Sequence, residues 1–433
     1  MYNHFFPYTD EKYIAFNAFT NSLAVIDREN YDTFQKFNNL GESLPEDLIN
    51  DLIKGGFIIE DDINELDILR LRLLRGRFNT DSLSLTIAPT NDCQFACVYC
   101  YEKDIIAPIY MDILVQDKII DSLESRKELI SNFSVVWYGG EPLMAFETVE
   151  NLSHRFIKIC NNNKINYNAS MVTNGYMLSP DLLKRMKDIN ISSLQITIDG
   201  LPDVHDKMRP LKSGGKTFDA IINNLQAGYE LLPQVALRIN IDKNNISSGE
   251  KILSLLKEKN MLEKVRPYFG KIISEAGTYI DSQCLSMRDF SELHYDFISK
   301  TFSDINQSPL FYPALKSAVC GADSFTSCVI DAEGWIYKCW SDIGHCDQRV
   351  GNIINGYDVT SKALTRYLLF DPTGCEQCVS CDVLPLCMGG CPYKRIVGST
   401  DNCANYRYIL GKCLTSSARY FQKQQSVDDL LEL

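Results

Sequence analysis

Between residues 82 and 267 the chain alternates short apolar runs with longer amphipathic stretches. Runs at 83–87, 133–138, 169–173, 193–198, 235–241 and 264–268 have the length and the β-branched and aromatic content of strands. Stretches at 111–130, 145–160, 179–188, 217–231 and 248–259 place apolar residues at helical spacing. Strands separated by helices pair in parallel, because each helix carries the chain back across one face of the sheet. The pattern predicts six βα units, with the loops after the strands placed together at one end of the sheet.

The first 80 residues follow a different pattern. Apolar runs at 13–19 and 22–26 flank Thr20-Asn21 and predict a hairpin. Segments 29–37 and 45–54 show helical spacing, with Leu44, Leu48, Leu52 and Ile53 on one face and Gly55-Gly56 as a stop. Residues 57–60 read as a closing strand before an acidic stretch. Two strands, two helices and a strand predict a small winged-helix-like unit over 1–80. Residues 268–318 read as a bridging region with helix at 282–299, and 416–433 as a tail.

Composition narrows the class. At 433 residues and 45% hydrophobic content there is material for two or three cored domains. No uninterrupted apolar stretch of about 18 residues predicts a membrane span, and the first residues lack the basic-then-apolar order of a secretory signal. The expectation is a cytoplasmic protein. A net charge of −13 disfavours a nucleic-acid partner. Sixteen cysteines in such a protein argue for metal ligation over disulfides, and most lie between Cys320 and Cys413. Cys160 and Cys284, isolated in sequence, read as buried thiols.

The loop after the first predicted strand holds Cys93, Cys97 and Cys100, a C-x3-C-x2-C run. A cubane iron–sulfur cluster normally takes four thiolates. Three from one loop leave one iron open to chelation by a small molecule, whereas a zinc knuckle usually wants four ligands in paired C-x2-C units. Gly139, Gly140, Glu141 and Pro142 follow the second strand, Thr173-Asn174-Gly175 the third, and Asp199-Gly200 the fourth. This set resembles the radical S-adenosylmethionine (SAM) superfamily, including the aromatic Tyr99 before the last cysteine. The resemblance implies a partial (β/α)6 TIM barrel over 81–267, with Cys93, Cys97 and Cys100 as catalytic cluster ligands. It implies SAM contacts from Tyr99, Gly139, Gly140, Glu141, Pro142, Asn174 and Arg209. Glu141 would accept from the SAM ammonium. Arg209 would meet its carboxylate, or alternatively pair with Asp203 or Asp206 at the surface. It further implies cleavage of SAM to a 5′-deoxyadenosyl radical, driven by a reductant such as flavodoxin or ferredoxin.

The segment 319–415 resembles the SPASM domain of peptide-modifying members of that superfamily. The match runs through Cys320, Gly334-x4-Cys339, Cys378-x2-Cys381-x5-Cys387-x3-Cys391 and a late cysteine. By resemblance Cys320, Cys328, Cys339 and Cys391 hold one auxiliary cluster, and Cys378, Cys381, Cys387 and Cys403 a second. Cys413 is the alternative last ligand, Cys346 and Cys375 fall outside the pattern, and a zinc ribbon is the competing reading. The whole implies three [4Fe–4S] clusters with SAM.

The N-terminal unit resembles the leader-peptide recognition domain of peptide maturases, whose sheet edge takes up a peptide as an extra strand. The function expected is therefore maturation of a ribosomally made precursor peptide through a Cys thioether. Carbon–carbon or ether cross-linking and formylglycine formation on sulfatases are alternatives, and a non-catalytic iron–sulfur electron carrier is the reading from another class. The formylglycine reading lacks its base, since Trp340 stands directly after Cys339.

Overall fold

The computed structural model describes every residue except 275–278, 303–310, 400–401 and 432–433, with backbone alone over 424–431. Parts of the expected bridging region and the end of the expected tail lie outside the described residues. The chain divides into two compact units: one formed by 1–77, 302–319 and 371–433, the other by 78–301 and 320–370.

The larger unit contains the predicted βα repeats. Its strands β4 (Ser82–Ile87), β5 (Asn132–Trp137), β6 (Asn166–Thr173), β7 (Ile191–Thr197), β8 (Gln234–Ile241) and β9 (Val265–Lys271) pair in parallel in sequence order. Alternating positions explain why: Leu83, Leu85 and Ile87 are buried, as are Phe133, Val135 and Trp137, while their neighbours are less so. Between strands run α4 (Ile113–Glu124), α5 (Phe146–Asn163), α6 (Pro180–Asp188), α7 (Pro202–Met208), α8 (Phe218–Ala227) and α9 (Ser248–Glu258). Asp112 and Ser179 cap α4 and α6 through side chains that accept from Val115 and Leu182 amides. The expected bridging helix is α10 (Met287–Thr301), whose Phe297 stacks on Phe269 of β9 at 4.2 Å. The short α7 was not legible as a helix.

The cysteine-rich segment does not form one separate body. Residues 320–370 belong to the barrel unit and extend its sheet. Here β10 (Ser327–Ile330) pairs in parallel with β4, and β11 (Trp335–Tyr337), β12 (Gly351–Asn352) and β13 (Gly356–Tyr357) follow antiparallel. The reason is the edge left by an unclosed barrel: β4 presents unpaired N–H and C=O groups, which β10 satisfies. Residues 371–431 belong to the smaller unit instead.

In that unit β1 (Asn3–Thr9), β2 (Lys12–Asn17) and β3 (Ser22–Asp27) form an antiparallel sheet, followed by α1 (Arg28–Leu40), α2 (Glu46–Lys54) and α3 (Glu65–Arg77). The predicted hairpin is present, but the order of elements differs from the expected two strands, two helices and strand. The third strand is β1, and 57–60 is not a strand. The amides of Phe57 and Ile58 donate to the Leu52 carbonyl behind the left-handed Gly56, closing α2 and leaving no ladder to join. Nor is 1–80 separable, because Tyr2, Ile14, Phe16, Leu69 and Leu73 share one core with Leu384, Leu386, Leu410 and Leu414. The expected tail continues a single helix, Tyr406–Leu431.

Candidate active site

The predicted motifs meet at the C-terminal ends of the parallel strands. The loop after β4 is strapped along its length to residues 208–212: the amides of Ala96 and Val98 donate to Pro210 and Met208 carbonyls, and Lys212 donates to Gln94. Gly139 and Gly140 lie against the start of this loop. A Cβ on Gly139, at φ +99°, would stand 2.7 Å from the Thr90 carbonyl oxygen, and one on Gly140 only 2.2 Å from that of Asp92. These glycines are therefore required by contact between protein backbones, whatever ligand they also admit.

Glu141, expected as the ammonium acceptor, is tied into the protein by bonds of its own. Its carboxylate is fully buried and accepts from the Leu143 amide (3.0 Å), the Thr173 hydroxyl (2.6 Å) and the Asn174 amide (2.8 Å). Three internal donors bind the loop after β5 to the loop after β6, which fixes Pro142 and Asn174. Burial still raises the pKa of Glu141 against these bonds.

Tyr99 is the node of the site. Its hydroxyl donates to Asp199 Oδ2 (2.5 Å) and accepts from Arg209 Nη1 (2.8 Å) and Asn240 Nδ2 (2.9 Å). Asp199 follows β7 and accepts through Oδ1 from the Asn240 amide. Arg209 is buried, its guanidinium lies 5.7 Å from the Phe95 ring centre, and its Nε has no partner. The surface pairing with Asp203 or Asp206 is thereby excluded; Asp206 accepts instead from the amides of Thr217 and Phe218. Gln94 Oε1 is likewise buried without a donor. Asn240 was missed as a site residue, and Asp199 was noted only as the end of its strand. Their signal was position alone: polar side chains at the ends of strands that are otherwise apolar.

The three thiols share one electrostatic environment. Burial pushes Cys93 and Cys100 up to about 12 and raises Cys97, each acts on or is acted on by Cys97, and Arg209 opposes the rise at all three. Among the described residues no three Cys, His, Asp or Glu side chains converge tightly enough for a single metal ion. The unpartnered Arg209 Nε and Gln94 Oε1, a donor and an acceptor, fit the carboxylate and amino groups of an amino acid.

His205 is fully buried, and its Nδ1 accepts from the Asp199 amide (3.2 Å). Burial, then Arg209, lowers its pKa from 6.5 to about 3. A depressed folded-state pKa contributes stability that is present above 6.5 and lost as pH falls toward 3. The loss amounts to about 1.4 kcal/mol per pH unit. His205→Asn keeps an acceptor for Asp199 and removes the titration. Its anaerobic melting temperature should therefore fall less than that of the wild type between pH 7 and pH 5.

Of the remaining expected ligands, Cys320, Cys328 and Cys339 belong to the barrel unit and Cys378, Cys381, Cys387, Cys391 and Cys403 to the smaller one. Cys320 and Cys328 both act on Lys338, which is buried and donates to the carbonyls of Ser324 and Ser327. Cys339 acts on Tyr101, whose hydroxyl bonds that of Tyr138; Trp340 stacks on Tyr138 at 5.1 Å. Cys160 is buried as expected, but Cys284 is only half-buried, its thiol near the Ile280 carbonyl. Cys413 is fully buried in the core beside Leu414.

A parallel sheet with three thiols on the loop after β4 and a buried guanidinium with an unpartnered Nε forms a site suited to a carboxylate-bearing cofactor beside a metal cluster. The sequence profile described as Radical SAM superfamily matches residues 87–256. The chain is 25% identical over 365 residues to a cysteine-type anaerobic sulfatase-maturating enzyme of Clostridium novyi, covering 76% of this chain and 95% of that protein. It is 25% identical over 332 residues to mycofactocin maturase MftC of Mycobacterium tuberculosis, covering 71% and 78%. Among solved structures, native anSMEcpe with bound AdoMet superposes with a TM-score of 0.61 at 19% identity, covering 80% of this chain and all of that one. Streptococcus suis SuiB does so with a TM-score of 0.54 at 15% identity, covering 92% and 96%. At such identities these two speak to the fold. The protein is an enzyme with a Radical SAM domain over residues 87–256, which sets aside the electron-carrier reading; that domain implies a [4Fe–4S] cluster and SAM. Among the described residues no helix is long and apolar enough to cross a membrane.

Proposed function

We propose that this enzyme matures a ribosomally made precursor peptide in the cytoplasm and installs a Cys thioether. The observation that carries the maturase reading is the near full-length similarity to a maturating enzyme, joined to the buried site at the strand ends. The bound cluster and SAM supply one-electron cleavage chemistry and hydrogen abstraction, with electrons from a flavodoxin or ferredoxin. Cys93, Cys97 and Cys100 would hold the cluster. Arg209 would hold the SAM carboxylate through its free Nε, and Tyr99, pinned by Asp199 and Asn240, would orient that guanidinium. Gln94 Oε1 would accept from the amino group, leaving Glu141 to position the loops. Cysteines of 319–415 would hold the two auxiliary clusters.

The formylglycine alternative draws on the sulfatase-maturating relative. Its base is not evident in this chain: Trp340 occupies the position after Cys339, and the buried Asp342 accepts from Tyr367 (2.8 Å). The test is anaerobic incubation with SAM, reductant and a Cys-containing precursor peptide. A thioether product is lighter by two hydrogens and has lost one alkylatable thiol. Loss of the hydrogens with the thiol retained would favour carbon–carbon or ether cross-linking, and an aldehyde would favour formylglycine.

The β3 strand is an edge of the N-terminal sheet and is the place for an added peptide strand. Amide hydrogen exchange over 22–27 should slow at least several-fold when the precursor peptide binds. Unchanged exchange there would leave the module a purely structural part of its unit.

A further inference from the structure

We propose that Arg238 binds a carboxylate of the precursor peptide, so that the enzyme selects peptides with an acidic group close to the residue it modifies. The inference rests on the peptide-maturase reading and adds a substrate feature to it.

The setting of Arg238 follows from strand alternation. In β8, Val235, Leu237 and Ile239 are buried on one side, while Ala236, Arg238 and Asn240 take the other. Asn240 donates to the Tyr99 hydroxyl, so this second face is the one that carries the site. The register places Thr197 of β7 and Tyr268 of β9 on either side of Arg238, and Gly270 beside Asn240. The guanidinium is drawn toward the strand ends, where Nε donates to Asn240 Oδ1 (2.6 Å). It occupies the room that Gly270 leaves. A Cβ there would stand 2.3 Å from Arg238 Nε, 2.8 Å from its Cζ and 2.6 Å from Asn240 Oδ1. This strand glycine is a seat for the guanidinium.

The cation held there has no anion of its own. None of the strands β4 to β9 contains an Asp or Glu. Among the described residues Arg238 forms no ion pair, and its hydrogen-bond partners Asn240 and Tyr268 are neutral. Asp199 feels its charge, but Arg209 acts on the same carboxylate, whose oxygens are engaged by Tyr99 and the Asn240 amide. Two guanidiniums thus share one carboxylate. Arg238, Tyr268 and Gln195 are half-buried, so a ligand can reach them. A guanidinium stays charged at any ordinary pH, and its planar fork suits a carboxylate. SAM does not supply this anion: its single carboxylate goes to Arg209 in the reading above, and its ammonium and sulfonium are cationic. The substrate must bring it, on an acidic side chain or at the peptide C-terminus.

The test uses the full chain reconstituted anaerobically, with SAM, reductant and the Cys-containing precursor peptide. Each Asp and Glu of the peptide is replaced in turn by Asn or Gln, and a further form is amidated at its C-terminus. One of these neutralisations should lower kcat/KM by about 10- to 10²-fold, the scale of a charge-assisted hydrogen bond. Which one does so tells a side chain from the C-terminus. Arg238→Gln should lower kcat/KM for the unaltered peptide by the same factor and handle that peptide and its neutralised form alike. Equilibrium dialysis should find SAM bound to the variant as tightly as to the wild type. Arg238→Lys keeps the charge without the fork, should discriminate less than the wild type, and serves where the Gln variant does not fold. Equal turnover of all peptide forms by the wild type overturns the proposal, as does discrimination that persists in Arg238→Gln. Weakened SAM binding in that variant also overturns it, since the guanidinium would then serve the cofactor. If SAM is cleaved but no form of the peptide is modified, the maturase reading itself fails, and the proposal with it.

Discussion

Alanine at Cys93, Cys97 and Cys100 together should abolish 5′-deoxyadenosine formation and lower iron content by about four per chain. Each of these thiols is buried or half-buried, and burial raises all three pKa values. Without a cluster nothing in the loop offers a reducible centre, so the loss should be complete. The loop itself should survive, because its bonds to 208–212 and to Gly140 and Glu141 run through backbone atoms that the substitutions leave intact. Auxiliary iron should therefore persist in the variant. Loss of all iron would instead mean that the cysteines do not form independent groups, and would undo the separation of the 93–100 loop from the later cysteines.

Arg209→Gln should weaken SAM binding by about 10²-fold, the scale of one lost charge-assisted hydrogen-bond pair. The guanidinium is buried, spends one nitrogen on Tyr99 and keeps Nε free, a geometry suited to a carboxylate. Arg209→Lys should recover little, since an ammonium lacks the planar fork that meets Tyr99 and a ligand oxygen together. Equilibrium dialysis with labelled SAM separates this from a structural role. If affinity is unchanged while the melting temperature falls, Arg209 serves only to balance Asp199 and the thiols.

The parallel array was legible because its signal is local and repeated. Runs such as 133–138 and 193–198 are too apolar to be exposed and too short to be buried helices, and the segments between them have helical spacing. The motif loops were legible by the same logic, since each follows such a run. The partners across the site were not. Tyr99 meets Asp199, Arg209 and Asn240, which lie 100, 110 and 141 residues away, and no periodicity encodes that meeting. Glu141 was read as facing a ligand from the Gly139–Pro142 motif; that its carboxylate also accepts from Leu143, Thr173 and Asn174 was not legible. The 57–60 segment looked like a strand because apolar β-branched residues also suit a chain that closes a helix against a core.

By itself the sequence determined the parallel sheet, the three-thiol loop after its first strand and the cysteine density near the end. These depend on side-chain type and on distances along the chain. The tertiary structure decided that 320–370 completes the barrel's open edge while 371–431 packs with the first 77 residues. It also decided that Glu141 binds loops together. Unpaired edges, buried carboxylates and thiols take whichever partner lowers their free energy, and those partners are known only once distant segments are side by side.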